Sequence, residues 1–373
     1  MDLQQLREGI DSIDSEILSL FKRRMELCKG VADYKKLHDM PVFQGGREQQ
    51  VIDRIKELTA DKNLENGTAA LFTTIMDISK LLQNRTLLAE TPDYSYSVPD
   101  FEKALKIGCQ GTAGANSETA ARKLFGDKEL VFCRTFEDVF KGVQSGELDY
   151  GVVPILNSTA GSVDSTYDLM AQYYVYIVSE VCLEINHCLA SKADCPVSEI
   201  SRVYSHPQAL AQCSDFLNEN GLKTYDYGNT ATAAEKVAGS APEDRIAAVC
   251  SVECAERLGL NILAKGIADS SVNRTQFVCI SRDMQVAPES DTISVMLKIP
   301  HTEGSLYRLL TKFYVNGMNL IRIESRPIKD GSFEVVFYLD FSGKISDPNV
   351  KETLRDLEQN LEYFRLLGTF KGE

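Results

Sequence analysis

The strongest constraint on this chain is its first thirty-five or so residues, Asp2 to Lys36. Their apolar positions are Leu6, Ile10, Ile13, Ile17, Leu20, Leu27 and Val31, spaced mostly by fours and threes. That spacing predicts one long α-helix with a continuous apolar seam, of the kind long helices use against each other. At 1.5 Å per residue such a helix is roughly 50 Å long. Arg24 occupies a seam position where the pattern calls for Leu, and Lys35 extends the same face one turn past Val31. Arg7 lies roughly a quarter-turn off that face. A cation in an apolar seam costs several kcal/mol unless an anion meets it. A buried ion pair or a snorkelling side chain explains one such Arg. Two cations on one stripe point instead to the wall of a pocket for an anionic ligand.

The chain has 373 residues, enough for two or three domains. Its net charge of −14 argues against nucleic acid or an anionic membrane surface as a partner. No apolar run reaches transmembrane length, and the acidic N-terminus does not read as a signal peptide, so a cytoplasmic protein is expected. The ten Cys form no CxxC pair, although Cys250 and Cys254 lie one helical turn apart, and scattered thiols of this kind are usually buried and reduced. With four His, a His-rich metal site is not expected. There is neither a P-loop nor a dinucleotide fingerprint, and no cofactor is expected.

Gly45-Gly46 opens a second helix, Arg47 to about Leu58, and a third runs from about Thr68 to Leu88 with Ser79 and Gln83 one turn apart beside its stripe. Three helices with one very long member cannot enclose their own stripe, so a second copy is expected to cover it. Residues 1–88 resemble the all-helical chorismate mutase domain. The resemblance implies a cage of Arg7, Arg24, Lys35, Arg47, Glu48, Ser79 and Gln83 around chorismate, with Arg7 reaching into the partner's site. Gln44 stands where some members carry an acid. A unimolecular rearrangement needs no nucleophile, only a clamp on the compact conformer and charge stabilisation at the breaking C–O bond.

Residues 89–103 are polar, carry two Pro and read as a linker. From Ala104 short strands alternate with helices, which predicts two α/β lobes over 104–283, like a periplasmic binding protein, with a ligand in the cleft between them. Polar turns fall at strand ends: Asn157-Ser158-Thr159, Ser205-His206-Pro207-Gln208, Asn229-Thr230 and Asn273 to Phe277. Taken singly each reads as a helix cap; clustered, they could bind a small anion through helix N-termini.

These stretches resemble prephenate dehydratase. PILNSTAGSV at 154–163 is similar to its Pro-Ile-Glu-Asn-Ser motif, SHPQAL at 205–210 is unchanged, NRTQF at 273–277 stands at its Asn-x-Thr-Arg-Phe motif, and GTAGANS at 111–117 matches its Gly-rich first turn. The resemblance implies that the Thr275 hydroxyl assists loss of the ring hydroxyl as carbon dioxide leaves. It also implies a pocket lined by Ser117, Asn157, Ser158, Ser205, Gln208, Thr230, Gln276 and Phe277. Leu156 replaces the motif's Glu, Gln276 its Arg, and Asn116 an aromatic residue. If Gln276 held a substrate carboxylate, the lost charge would weaken the dehydratase about ten- to a hundredfold, the worth of one charged hydrogen bond.

Residues 291–373 show a βαββαβ order, the ferredoxin-like pattern. They resemble the ACT regulatory domain, which implies phenylalanine binding at Gly304-Ser305-Leu306 and Glu324-Ser325-Arg326-Pro327, between two copies. The plain alternative is a helix-start turn and a strand charge pair. The whole chain thus resembles bifunctional chorismate mutase/prephenate dehydratases, a multidomain build of all-α, two-lobed α/β and α+β ferredoxin-like parts. The implied route is chorismate to prephenate to phenylpyruvate, in a homodimer or homotetramer. The competing reading keeps the mutase and makes the middle domain inactive, altered in chemistry or a ligand sensor.

Overall fold

Helix α1 (Leu3–Leu37) begins at a capping box, the Asp2 carboxylate accepting from the Gln5 amide while the Gln5 side chain accepts from the Asp2 amide. The computed structural model describes residues 2–38, 40, 45–87, 94–270, 272–328 and 334–372, with the backbone alone at 45 and 85–87. Gln44 lies outside the described residues. Helix α2 (Gly45–Leu58) and helix α3 (Lys62–Leu87) follow, α3 starting several residues before the expected Thr68. Against α3, α1 buries Met25, Ala32 and Lys35, with Arg24 and Cys28 beside them. The two cations of the expected seam thus meet α3, while the apolar residues of that seam stay uncovered among the described residues. Ile10, Ile13, Ile17 and Leu20 are 53–59% exposed and Leu27 is 74% exposed. The long helix therefore packs on α3 where the cations sit and leaves an apolar face uncovered within this chain.

The α/β region opens with β1 (Ile107–Gln110), α4 (Asn116–Phe125), β2 (Leu130–Cys133), α5 (Phe136–Ser145) and β3 (Tyr150–Asn157). Next come β4 (Gly161–Ser162), α6 (Asp164–Gln172) and β5 (Tyr176–Glu184). A second lobe holds β6 (His187–Ser191), β7 (Arg202–Ser205), α7 (Pro207–Ala211), α8 (Ser214–Glu219), β8 (Thr224–Asp226), α9 (Thr230–Ala238), β9 (Ile246–Ser251), α10 (Val252–Arg257) and β10 (Asn261–Lys265). Strand β11 (Arg274–Ser281) returns to the first lobe. The sheets run β5-β11-β3-β1-β2 and β10-β6-β9-β7-β8. The chain passes between lobes twice, after β5 and after β10, which hinges two cores of their own around a cleft.

Three sequence expectations shift here. The single helix expected over 207–218 is two short ones, and β6 and β10 carried no clear alternation because β6 is buried throughout. Strand β11 starts at Arg274, two residues before the expected run Gln276–Ser281, so Thr275 belongs to the strand as well.

The last elements are β12 (Thr292–Lys298), α11 (Ser305–Val315), β13 (Leu320–Pro327), β14 (Val335–Ser342), α12 (Pro348–Asn360) and β15 (Tyr363–Phe370), in the sheet order β13-β14-β12-β15 of a ferredoxin-like fold. The helix expected to reach Phe364 stops at Asn360, because Tyr363 already begins β15. The chain divides into two compact units, Met1–Tyr94 with Val295–Arg365 and Ser95–Ser294 with Leu366–Glu373. In the first, α3 packs on α11 and α12; in the second, Gly368 of β15 pairs with Ile177 of β5.

Candidate active sites

The first site forms where α1, α2 and α3 meet. Arg24 reaches across from α1 and donates to the Ser79 hydroxyl and, at 3.5 Å, to the Ile75 carbonyl. Gln83, one turn beyond Ser79, is buried, and its carboxamide oxygen has no partner among the described residues. Such an orphan costs about 1–3 kcal/mol unless a ligand or water meets it. Lys35 is 8% exposed, and burial pushes its ammonium below the ordinary lysine range against the opposing pull of Glu48. The site thus holds Arg24 against Ser79, with Gln83 buried one turn on and Lys35 within electrostatic reach of Glu48. Arg7 and Arg47 are exposed and stand outside it. Arg7 lies seventeen residues before Arg24, roughly 25 Å along the helix, so it cannot serve this chain's own cage.

The second site lies at the ends of β3 and β11, beside a cleft of about 290 Å³ bordered by Thr159, Gln208, Gln212, Asp269 and Asn273. Asn157 organises it. Its carboxamide oxygen accepts from the backbone amides of Thr159 (3.1 Å) and Ala160 (2.8 Å), so the other end must donate. That nitrogen donates to Asn273 Oδ1 at 2.9 Å and to the Thr275 hydroxyl at 2.8 Å. The Thr275 oxygen is therefore an acceptor toward the protein, and its own proton is left for something else. Asn273 is held in turn, donating to Gln212 Oε1 at 3.0 Å. His187 also meets that oxygen, at 3.1 Å, which makes its Nε2 the donor. Burial pushes His187 below its ordinary pKa, so it stays neutral.

Asn273, Gln212, His187 and Thr159 were not picked out from the sequence as site residues. Asn273 and Thr159 stand in turns that were flagged; Gln212 and His187 carried no local signal at all. Several expected lining residues are placed otherwise. Phe277 is 2% exposed and packs in the first lobe's core with Cys109, Val152 and Val181. Ser205 is fully buried and spends its proton on the Val249 carbonyl at 2.6 Å, tying β7 to β9. Ser158 is exposed and pairs with the Arg274 backbone. Gln208 borders the cleft, Ser117 lies buried in the first turn of α4, and Thr230 is the first residue of α9 after its Asn229 cap.

The two replaced motif residues are cross-strand partners, Gln276 opposite Leu156, next to the Thr275–Asn157 pair. Neighbouring strand residues face opposite sides, so Gln276 and Leu156 share the face turned away from the Thr275 hydroxyl. Gln276 donates there to Glu180 at 3.1 Å. In this chain the Gln276 side chain is thus engaged by Glu180, and Leu156 stands opposite it across the strand pair.

In the ferredoxin-like part Gly304 caps α11 at φ +76, a backbone state open to Gly, and Leu306 is partly exposed in the first turn. Glu324, Ser325 and Arg326 lie on β13, at one edge of the sheet.

A helical unit with a cation set against α3, in series with a two-lobed domain whose cleft is bordered by a directed amide network, is the build of an enzyme with two active sites. The type II chorismate mutase family matches residues 6–84 and the prephenate dehydratase family residues 107–285. The bifunctional chorismate mutase/prephenate dehydratase of Aquifex aeolicus is 31% identical over 99% of this chain and 98% of its own. That of Escherichia coli is 30% identical over 100% of this chain and 96% of its own. The structure of a prephenate dehydratase from Arthrobacter aurescens in complex with L-Phe covers 72% of this chain and 90% of its own, with 29% identity and a TM-score of 0.66. The chain belongs to the bifunctional chorismate mutase/prephenate dehydratase family.

Proposed function

We propose that this chain rearranges chorismate to prephenate in its N-terminal cage and converts prephenate to phenylpyruvate, carbon dioxide and water in its two-lobed domain. The domain limits we assign are 1–88 for the mutase, 104–283 for the dehydratase and 291–373 for an ACT regulatory domain. In the cage, Arg24 and Lys35 take the carboxylates, and the Gln83 amide nitrogen donates to the ether oxygen; the cations hold the compact conformer and stabilise charge on the breaking C–O bond.

In the cleft, the observation that carries the reading is the fixed direction of the Thr275 proton. With Asn157 locked as donor, Thr275 gives its hydrogen bond to the departing ring hydroxyl. The C–C bond to the ring carboxylate breaks and releases carbon dioxide, its electron pair makes the ring aromatic, the C–O bond breaks, and the hydroxyl takes the Thr275 proton and leaves as water, the Thr275 proton being replaced from solvent. Phenylalanine is the effector we assign to the turn at Gly304–Leu306 and the strand at Glu324–Arg326. Two copies of the chain complete the mutase, each covering the other's uncovered α1 face and lending Arg7. Among the described residues no helix is long and apolar enough to cross a membrane, and all ten Cys are free thiols, which suits a reducing cytoplasm.

The test supplies chorismate and, separately, prephenate to the purified chain and identifies products by mass and ultraviolet absorbance. Phenylpyruvate from both supports both sites. If chorismate stops at prephenate and added prephenate is untouched, the middle domain is a sensor or relic.

A further inference from the structure

Glu48 does not stand alone in the mutase cage. Its Oε2 lies 3.0 Å from Lys80 Nζ and 3.6 Å from Arg308 Nη2. Lys80 lies 2.8 Å from Asp77 Oδ1, and Arg308 grips Asp77 with two prongs, at 3.0 and 3.2 Å. The four side chains close a square of alternating charge: Glu48, Lys80, Asp77, Arg308. Three corners belong to α2 and α3. The fourth comes from α11 of the ferredoxin-like fold, more than two hundred residues later in the chain.

The square is built. Asp77 is 5% exposed, and a buried carboxylate is stable only with partners of this kind. Both cations approach the same oxygen of Glu48, Oε2. Lys35, the cage lysine, feels Glu48 as its principal favourable charge. Glu48 is thus held by Lys80 and Arg308 and near enough to Lys35 to act on its charge. The same helix pair is joined further by Thr74 to Tyr307 at 3.1 Å, and Asn84 meets Asp356 of α12 at 2.9 Å. Arg308 sits one turn beyond Gly304, at the start of α11.

We propose that Arg308 is a positioning residue for the mutase reaction: the ferredoxin-like fold holds the Glu48 carboxylate in place through Arg308, and the mutase site is incomplete without it. The inference rests on the mutase reading above. Arg308 touches no substrate; it acts through Glu48, directly and by fixing Asp77 and Lys80. The guanidinium matters here because one planar fork holds both oxygens of Asp77 and still reaches Glu48, a two-pronged grip that a single ammonium does not reproduce.

The test uses the full chain with Arg308→Gln and Arg308→Lys. Chorismate turnover is measured beside prephenate turnover, with thermal unfolding as a check on folding. Arg308→Gln is expected to lower mutase kcat/KM about fivefold, more through kcat than KM, because a misplaced Glu48 fails to hold the reactive conformer. Arg308→Lys restores part of it, and prephenate turnover stays unchanged in both. Mutase kinetics within twofold of the parent protein overturn the proposal. So does an equal fall in both reactions with a lowered unfolding temperature, which marks a structural role only. Chorismate left untouched by the parent protein overturns the mutase reading itself, and this inference with it.

Discussion

Replacing Gly368 by Ala tests how the end of the chain is fastened. Gly368 pairs with Ile177 in a parallel bridge between β15 and β5, and its φ is +152, where side-chain-bearing residues rarely sit. A Cβ built there falls 2.0 Å from the Ile177 carbonyl oxygen, 2.7 Å from its nitrogen and 2.8 Å from its carbonyl carbon. All three are backbone atoms, so no side chain can swing aside; the strands must part. Overpacking costs about 1–3 kcal/mol, and the backbone nature of the clash places this case near 3. For a unit of this size, each kcal/mol moves the unfolding temperature by about 2–4 °C, so a fall of about 6–12 °C is expected. Differential scanning calorimetry reads that shift, and amide exchange at Ile177 and Thr369 locates it. An unchanged transition with unchanged exchange at both amides refutes the close approach, and with it the docking of β15 on this sheet.

Asn157→Asp replaces the donor to Thr275 by an acceptor, turning the Thr275 proton back into the protein. Dehydratase kcat is expected to fall about a hundredfold, the scale of one misdirected catalytic donor, with KM little changed; full activity sinks the assigned proton direction. Gln276→Ala, on the opposite face, is expected to change prephenate turnover less than about twofold while costing about 1 kcal/mol of stability for the Glu180 contact. A hundredfold loss of turnover there returns Gln276 to the substrate. Lys35 is held below the ordinary lysine range by burial, so its charge is lost as pH rises toward, and before, the usual value of 10.5. Mutase activity should decline with rising pH in that window, and Lys35→Arg should move the decline to higher pH; an unmoved limb assigns it to another group. Ile13→Glu puts a charge on the uncovered α1 face, and sedimentation should show smaller species with mutase turnover lost and dehydratase turnover kept.

The sequence by itself determined the kinds of element and the chemistry they carry. The period of α1, the alternation of strands and helices after Ala104 and the βαββαβ close all follow from local spacing, and local spacing reads backbone geometry directly. Arg24 and Lys35 were legible because a cation in an apolar stripe is a local contradiction that only a ligand or partner resolves, whereas Ser79 and Gln83 lay beside a stripe and entered only through the family resemblance. The tertiary structure decided which side each strand residue faces and which distant groups meet. Phe277 and Ser205 looked like pocket residues until burial gave the ring to a core and the hydroxyl to Val249. Gln276 and Leu156 were read as two separate losses, although register makes them one cross-strand pair turned away from Thr275. Gln212, His187 and Arg308 carried no sequence signal, since each takes its meaning from a partner far along the chain. Hydrogen-bond direction and charge closure are properties of three-dimensional neighbours, and those neighbours exist only after the chain has folded.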